Sequence, residues 1–151
     1  MIEIDYAAPR HAGIRALLGQ SHALMRALFS PKDNHFLEID DLCVPTIHFF
    51  GARVDGAYRA CGALAVKDGY GEIKSFFTDP AARGMGLGQS VLEHIQSVAK
   101  DLQISELRLE TGVGLDAAHR LYYKNGFRDC GPFGDYEASE YSVFMQKSLG
   151  I

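Results

Sequence analysis

Residues Glu72–Leu92 read EIKSFFTDPAARGMGLGQSVL, and how this stretch folds decides the architecture of the chain. The apolar, β-prone run from Ile73 to Thr78 ends at Asp79-Pro80, a breaker pair. An arginine- and glycine-containing turn follows, and a helical pattern begins at once. Gly84, Gly86 and Gly88 remove three Cβ atoms where a strand hands over to a helix. A ligand can then approach the backbone closely, and the first N–H groups of the helix point outward without intrahelical partners. Those donors and the positive end of the helix dipole favour an anion, with a diphosphate the usual guest. The lysine-containing phosphate loop GxxxxGK[ST] is absent. The dinucleotide fingerprint GxGxxG also fails, because Gln89 and Val91 stand where its last glycine is needed. What is present is Arg83-x-x-Gly86-x-Gly88.

Working outward, a length of 151 residues points to one domain, 1–151, able to bury a real core. Apolar residues at 47% and charged residues at 23% fit a soluble globular protein. A net charge of −4 argues against a nucleic-acid partner, whose affinity would come from neutralising phosphates. No apolar run approaches the ~20 residues of a membrane span. The start, MIEIDYAAPR, alternates like a strand and lacks the pattern of a secretion signal. Cys43, Cys61 and Cys130 show no CxxC spacing, so a reduced, cytoplasmic setting is expected. The histidines form no HExxH and no cluster with cysteine, so no metal site is expected.

In chain order, Ile2 to Tyr6 alternates as a first strand, and residues 10–29 carry Ile14, Leu17, Leu18, Met25 and Leu28 at helical spacing. Residues 30–34 break that helix, and 35–46 have no clean period, which suits a short helix or an ordered loop. Ile47–Val54 and Tyr58–Val66 read as strands joined by the turn Asp55-Gly56. After the opening stretch, Leu87, Val91, Leu92, Ile95, Val98 and Leu102 lie on one helical face, and Leu107 and Leu109 on one side of a strand. Asp116 is expected as the N-cap of a helix closed by Gly126. Strands near Phe127–Cys130 and Tyr141–Gln146 finish the chain. Hairpins first and a strand–helix–strand crossover later imply an α/β chain with a mixed sheet and helices on both faces.

Arg83-x-x-Gly86-x-Gly88 directly after an apolar strand resembles the acetyl-coenzyme A signature, [RQ]xxGx[GA], of the GNAT superfamily of N-acetyltransferases. Residues 118–127, AHRLYYKNGF, look like that family's closing helix, A-x-x-LY-x-K-x-GF. EIKS at 72–75, LETG at 109–112, PFG at 132–134 and SVFM at 142–145 further resemble a subgroup of small bacterial members. The resemblance implies the acyl-CoA N-acyltransferase fold, with a mostly antiparallel mixed sheet, and acetyl-CoA as cosubstrate. It implies a strand that splays from its neighbour, so that backbone groups of Phe76, Phe77 and Thr78 pair with the pantetheine arm. The pyrophosphate would lie on the N–H groups of Gly84, Met85, Gly86, Leu87, Gly88, Gln89 and Ser90, with Arg83 nearby. Tyr122 falls on the tyrosine that would protonate the departing sulfur, and Glu72 where some members place a catalytic glutamate. Many members carry Asn or Gln at the position of Leu115, so one polar contact that the resemblance implies is either missing here or supplied by another group.

The implied reaction is direct attack of a primary amine, of a small molecule or a peptide, on the thioester through a tetrahedral intermediate. An alkylamine has a pKa of about 10.4, so little of it is neutral at neutral pH, and a carboxylate could take its proton directly or through water. Strand alternation puts Glu72, Lys74, Phe76 and Thr78 on one face. The acceptor side would be walled by residues 30–46 and 131–141, where Glu38, Asp40, Asp41, Asp135, Glu137 and Glu140 either favour a cationic amine or are plain solvated loop charges. A catalytically inactive coenzyme A-binding regulatory module is the alternative from another class. The apolar strand YSVFMQ could pair across a homodimer or be covered within one chain.

Overall fold

A computed structural model of the protein describes residues 1–150. Its seven-stranded sheet grows from one long hairpin. Asp55 and Gly56, both with positive φ (50° and 87°), join β2 (Ile47–Val54) to β3 (Ala57–Val66), as the primed hairpin turns require. β1 (Ile2–Tyr6) adds antiparallel to β2, and β4 (Gly71–Thr78) adds antiparallel to β3. A crossover through α2 (Leu87–Asp101) then lays β5 (Glu106–Gly112) parallel to β4. The order is β1-β2-β3-β4-β5-β7-β6, with β6 (Arg128–Cys130) and β7 (Ser142–Ser148) antiparallel. The sheet is mixed and mostly antiparallel. β7 has β5 on one side and β6 on the other, so the apolar closing strand is covered within the chain.

Helices lie on both faces. α1 (Ala12–Leu28) buries Ile14, Leu17 and Leu18 against Phe49, Cys61, Ala63 and Phe77. On the other face α2 buries Val91, Leu92 and Ile95 against Phe50, Leu64, Leu107 and Leu109, and α3 (Asp116–Lys124) adds Tyr122 to the same core. Residues 30–46 form an ordered loop with two short 3-10 turns, Pro31–Asp33 and Asp40–Leu42. No helix among the described residues is long and apolar enough to cross a membrane.

Two expectations of local geometry need correction. Asp116 is the first helical residue of α3 and not its N-cap; the cap is Leu115, whose side chain accepts nothing, and Asp116 instead places its charge in the first turn. The other end closes as expected: Gly126 has φ 91°, its N–H reaches the carbonyl of Tyr123, and that of Phe127 reaches Tyr122, a Schellman pair.

The second correction concerns β4. Its register against β3 jumps from Ala63–Lys74 to Cys61–Phe77, so Ser75 and Phe76 together oppose the single residue Gly62. This is a β-bulge, with Ser75 in the left-handed region at φ 53°. A Cβ on Gly62 would meet Ile95, Val91 and Phe76 at 3.0–3.1 Å, so glycine is what lets the bulge close against α2. The extra residue reverses the alternation. Ile73 and Phe76 both pack on the α2 side, while Lys74 reaches the carbonyl of His35 in the loop after α1. Glu72 and Lys74 therefore do not share a face with Phe76 and Thr78.

Candidate active site

The bulge coincides with a parting of the sheet. β4 and β5 pair only at Gly71–Leu107, Glu72–Arg108 and Ile73–Leu109, although β5 runs on to Gly112. Beyond Ile73 the two strands diverge. The N–H of Asp79 donates to the Arg59 carbonyl of the β3 side at 2.7 Å. Counting back by the two-residue alternation, Phe77 also directs its N–H and C=O toward β3. Phe76 and Thr78 then direct theirs into the gap, so of the three residues expected to meet an extended ligand, Phe77 is the one facing away.

The turn beyond the gap is held from below. The carboxylate of Asp79 accepts from the Ala81 N–H (3.0 Å) and from Arg59 (3.1 Å), fixing the 3-10 turn Pro80–Ala82. Among the described residues the N–H groups of Gly84 to Gln89 have no backbone acceptor, whereas that of Ser90 donates to the Gly86 carbonyl at 3.1 Å. Gly84 and Gly86 have φ 86° and 76°, with nothing within 4 Å of a built Cβ: they shape an open cradle. Gly88 serves a different purpose, since a Cβ there would press on Leu121 of α3 at 3.1 Å. Leu87 is buried in the core, and the Gln89 amide is tied to Asn125 at 2.8 Å. Arg83 and Met85 are exposed at the rim of the cradle.

A cavity of about 130 Å³ opens where the strands part, with Ser75, Phe76, Glu110, Thr111, Tyr122 and His35 among its walls. Tyr122 comes from the α2–α3 face, its ring against Phe76 and Phe127 (centroids 5.6 and 5.7 Å). Its hydroxyl takes no partner among the described residues, and burial pushes its pKa up, so it stays protonated and able to donate. Leu115 borders the same cavity with an apolar side chain, in place of the amide that the resemblance leads one to expect.

Glu110 enters from the opposite side of the sheet. On β5 it alternates with Leu109, which faces α2, so its carboxylate lies on the α1 face. It accepts from the Ser142 hydroxyl at 2.9 Å, and burial raises its pKa, opposed by that hydrogen bond and by the charges of His35 and Lys74. The sequence showed Glu110 only as a letter of LETG. Alternation in that strand could have marked it as facing away from the helix core, but not that the sheet parts beside it.

Glu72 is placed elsewhere. It accepts from the Tyr136 hydroxyl at 2.6 Å and lies 3.6 Å from the Lys74 ammonium. Lys74 in turn donates to Tyr136 (2.8 Å) and to the His35 carbonyl (3.0 Å). These groups wall a second cavity of about 430 Å³ that Tyr122 does not reach. Of the loop carboxylates, Glu38 and Asp40 pair with Arg26 and Arg10 at 3.8 and 2.8 Å, Asp41 accepts from the Glu38 N–H, and Asp135 borders the second cavity.

A family model described as "Acetyltransferase (GNAT) family" matches residues 19–127. An IAA acetyltransferase of Azospirillum brasilense is 37% identical over 150 residues, covering 98% of each chain. The crystal structure of a Klebsiella pneumoniae chain assigned to the acyl-CoA N-acyltransferases superposes with a TM-score of 0.83 at 32% identity, over 99% of this chain and 98% of that one. A GNAT family acetyltransferase from Elizabethkingia anophelis, solved with acetyl-CoA bound, has the same fold at 19% identity, with a TM-score of 0.71 over 97% of each chain.

Proposed function

The chain belongs to the GNAT family of acetyltransferases, and we propose that it moves the acetyl group of acetyl-CoA to a primary amine of a small molecule or peptide. The observation that carries this reading is the gap between β4 and β5, flanked by a phenol on one face of the sheet and a buried carboxylate on the other. Acetyl-CoA supplies an activated thioester. The N–H groups from Gly84 to Gln89, without a backbone acceptor among the described residues and with Arg83 beside them, suit its diphosphate, and the edge of β4 at Phe76 and Thr78, which β5 leaves uncovered, suits an extended amide arm.

The roles of the side chains follow from their protonation. Tyr122, kept neutral by burial, donates to the sulfur as it leaves. The amine needs an acceptor for its proton on the other side of the reacting carbon. Glu110 fits that duty better than Glu72, whose carboxylate is already held by Tyr136 and Lys74 in the other cavity. The raised pKa of Glu110 makes it a stronger base than a solvated carboxylate. The three cysteines are unpaired, which fits a reducing, cytoplasmic setting. The single domain 1–151 is kept in this reading, since both cores of the described residues 1–150 share the strands β2 and β3, with Ile151 outside the described residues.

Release of free thiol from acetyl-CoA in the presence of an amine panel tests the proposal. Turnover with an amine and none without it is the expected result. Calorimetric binding of acetyl-CoA with no turnover on any amine would instead favour a regulatory coenzyme A-binding module.

A further inference from the structure

The larger cavity lies between the two segments expected to wall the acceptor side, with residues 35–37 on one side and 134–136 on the other. It is about 430 Å³ and lies beside the reaction cavity, with His35, Phe36 and Lys74 forming walls of both. Resting on the acetyl-transfer reading, we infer that this second cavity holds the body of the acceptor and selects a monoamine with a flat aromatic or apolar group over a polyamine.

Its walls argue for that class. Phe36, Tyr70 and Tyr136 present rings, and Leu37 and Ala65 present aliphatic surface. The rings are pinned from behind, so the slot is formed before any ligand arrives. Phe36 stacks on His22 at 4.1 Å, Tyr70 packs edge-on to Phe133 at 5.6 Å under the Arg108 guanidinium, and Tyr136 is edge-on to the same Phe133 at 5.2 Å. The buried charges cancel within the wall: Glu72 and Lys74 lie 3.6 Å apart with the Tyr136 hydroxyl bonded to both. What remains charged is at the exposed mouth, one Lys67 and one Asp135, a balance that rewards no polycation.

Lys74 adds a reason tied to the chemistry. Its ammonium stands in the wall between the cavities, where an acceptor in the larger one would have to pass its amine toward the thioester. A fixed cation beside an amine disfavours the ammonium form and so favours the neutral nucleophile. A second ammonium on the same acceptor would meet Lys67 or Lys74 without a free carboxylate in the interior to answer it. The apolar body gains by leaving water for ring-lined space.

Calorimetric titration of the coenzyme A-saturated protein with phenethylamine, and separately with spermidine, reads this site without turnover. Phenethylamine is expected to bind about tenfold tighter or better. Ala65→Leu, which fills the slot from β3, should weaken that binding by about tenfold while leaving coenzyme A affinity unchanged. Tyr70→Ala, at the half-exposed wall, is the second variant should the buried substitution impair folding, and should weaken it in the same direction. No heat with phenethylamine, tighter binding of spermidine, or wild-type affinity in both variants overturns the inference. Thiol release separates this from the parent reading. Alkylamine turnover with phenethylamine indifferent to both variants sinks the cavity assignment alone, whereas no turnover with any amine sinks both.

Discussion

At the residue scale, two side chains approach one gap from opposite faces of the sheet, and each leads to a measurement. Tyr122→Phe keeps the ring against Phe76 and Phe127 but removes the hydroxyl proposed to protonate the leaving sulfur. The maximal rate should fall by about 10²-fold with the acetyl-CoA affinity unchanged. Glu110→Gln should lower the maximal rate by a similar factor, whereas Glu72→Gln, which alters the wall of the larger cavity, should change the acceptor KM more than the maximal rate. The pH profile discriminates further. The wild-type rate should climb as Glu110 deprotonates above the usual carboxylate range, and this limb should vanish in Glu110→Gln and persist in Glu72→Gln. Stability runs the other way. A carboxyl whose folded pKa is raised contributes stability at low pH, below its unfolded pKa, and loses it as pH rises through the folded value. Thermal melts should therefore show Glu110→Gln gaining on the wild type from acid toward neutral pH. None of these roles could be read from spacing alone. Glu72 lay on a plausible strand, but its reservation by Tyr136, 64 positions away, is a tertiary fact.

At the element scale, the single feature that makes a site out of a sheet is the bulge in β4. Ser75 holds φ 53°, a conformation that costs a residue with a Cβ roughly 1 kcal/mol, and its Oγ is a buried oxygen without a partner among the described residues. Ser75→Gly relieves both, so it should raise stability by about 1 kcal/mol, read as a higher melting temperature. Wild-type or lower stability in that variant would mean that the hydroxyl finds an acceptor in the ligand-free protein or that the backbone there is not strained. In the turn, Gly86→Ala forces a Cβ into the left-handed region at φ 76°, and should weaken acetyl-CoA binding while costing about 1 kcal/mol of stability. Calorimetry and a melt check the two halves. Element types were legible because apolar spacing and breakers carry them: both hairpin strands, α2 and the Gly126 stop fall where the pattern puts them. The bulge was not, since strict alternation from Glu72 to Thr78 ran smoothly through Ser75, and only the facing Gly62 and α2 decide where the extra residue goes.

At the scale of the whole molecule, the gap leaves β5, β7 and β6 joined to β4 by three residue pairs alone. A ligand lying along the parted strands would tie the two halves of the sheet, and any ligand specific to the folded state stabilises it by mass action. At about a hundredfold excess over its dissociation constant, acetyl-CoA should add roughly 2.7 kcal/mol, visible as a raised melting temperature that NAD does not reproduce. The sequence by itself determined the succession of strands and helices, the glycine-rich turn after β4 and the family to which the chain belongs, because periodicity, breakers and local backbone freedom are properties of neighbouring residues. Only the tertiary structure decided that the sheet parts at Lys74, that Glu110 and Tyr122 share the opening, and that Glu72 is locked into a wall beside a second cavity. Those outcomes depend on which distant groups compete for the same hydrogen bonds and the same space, and no run of adjacent residues contains that competition.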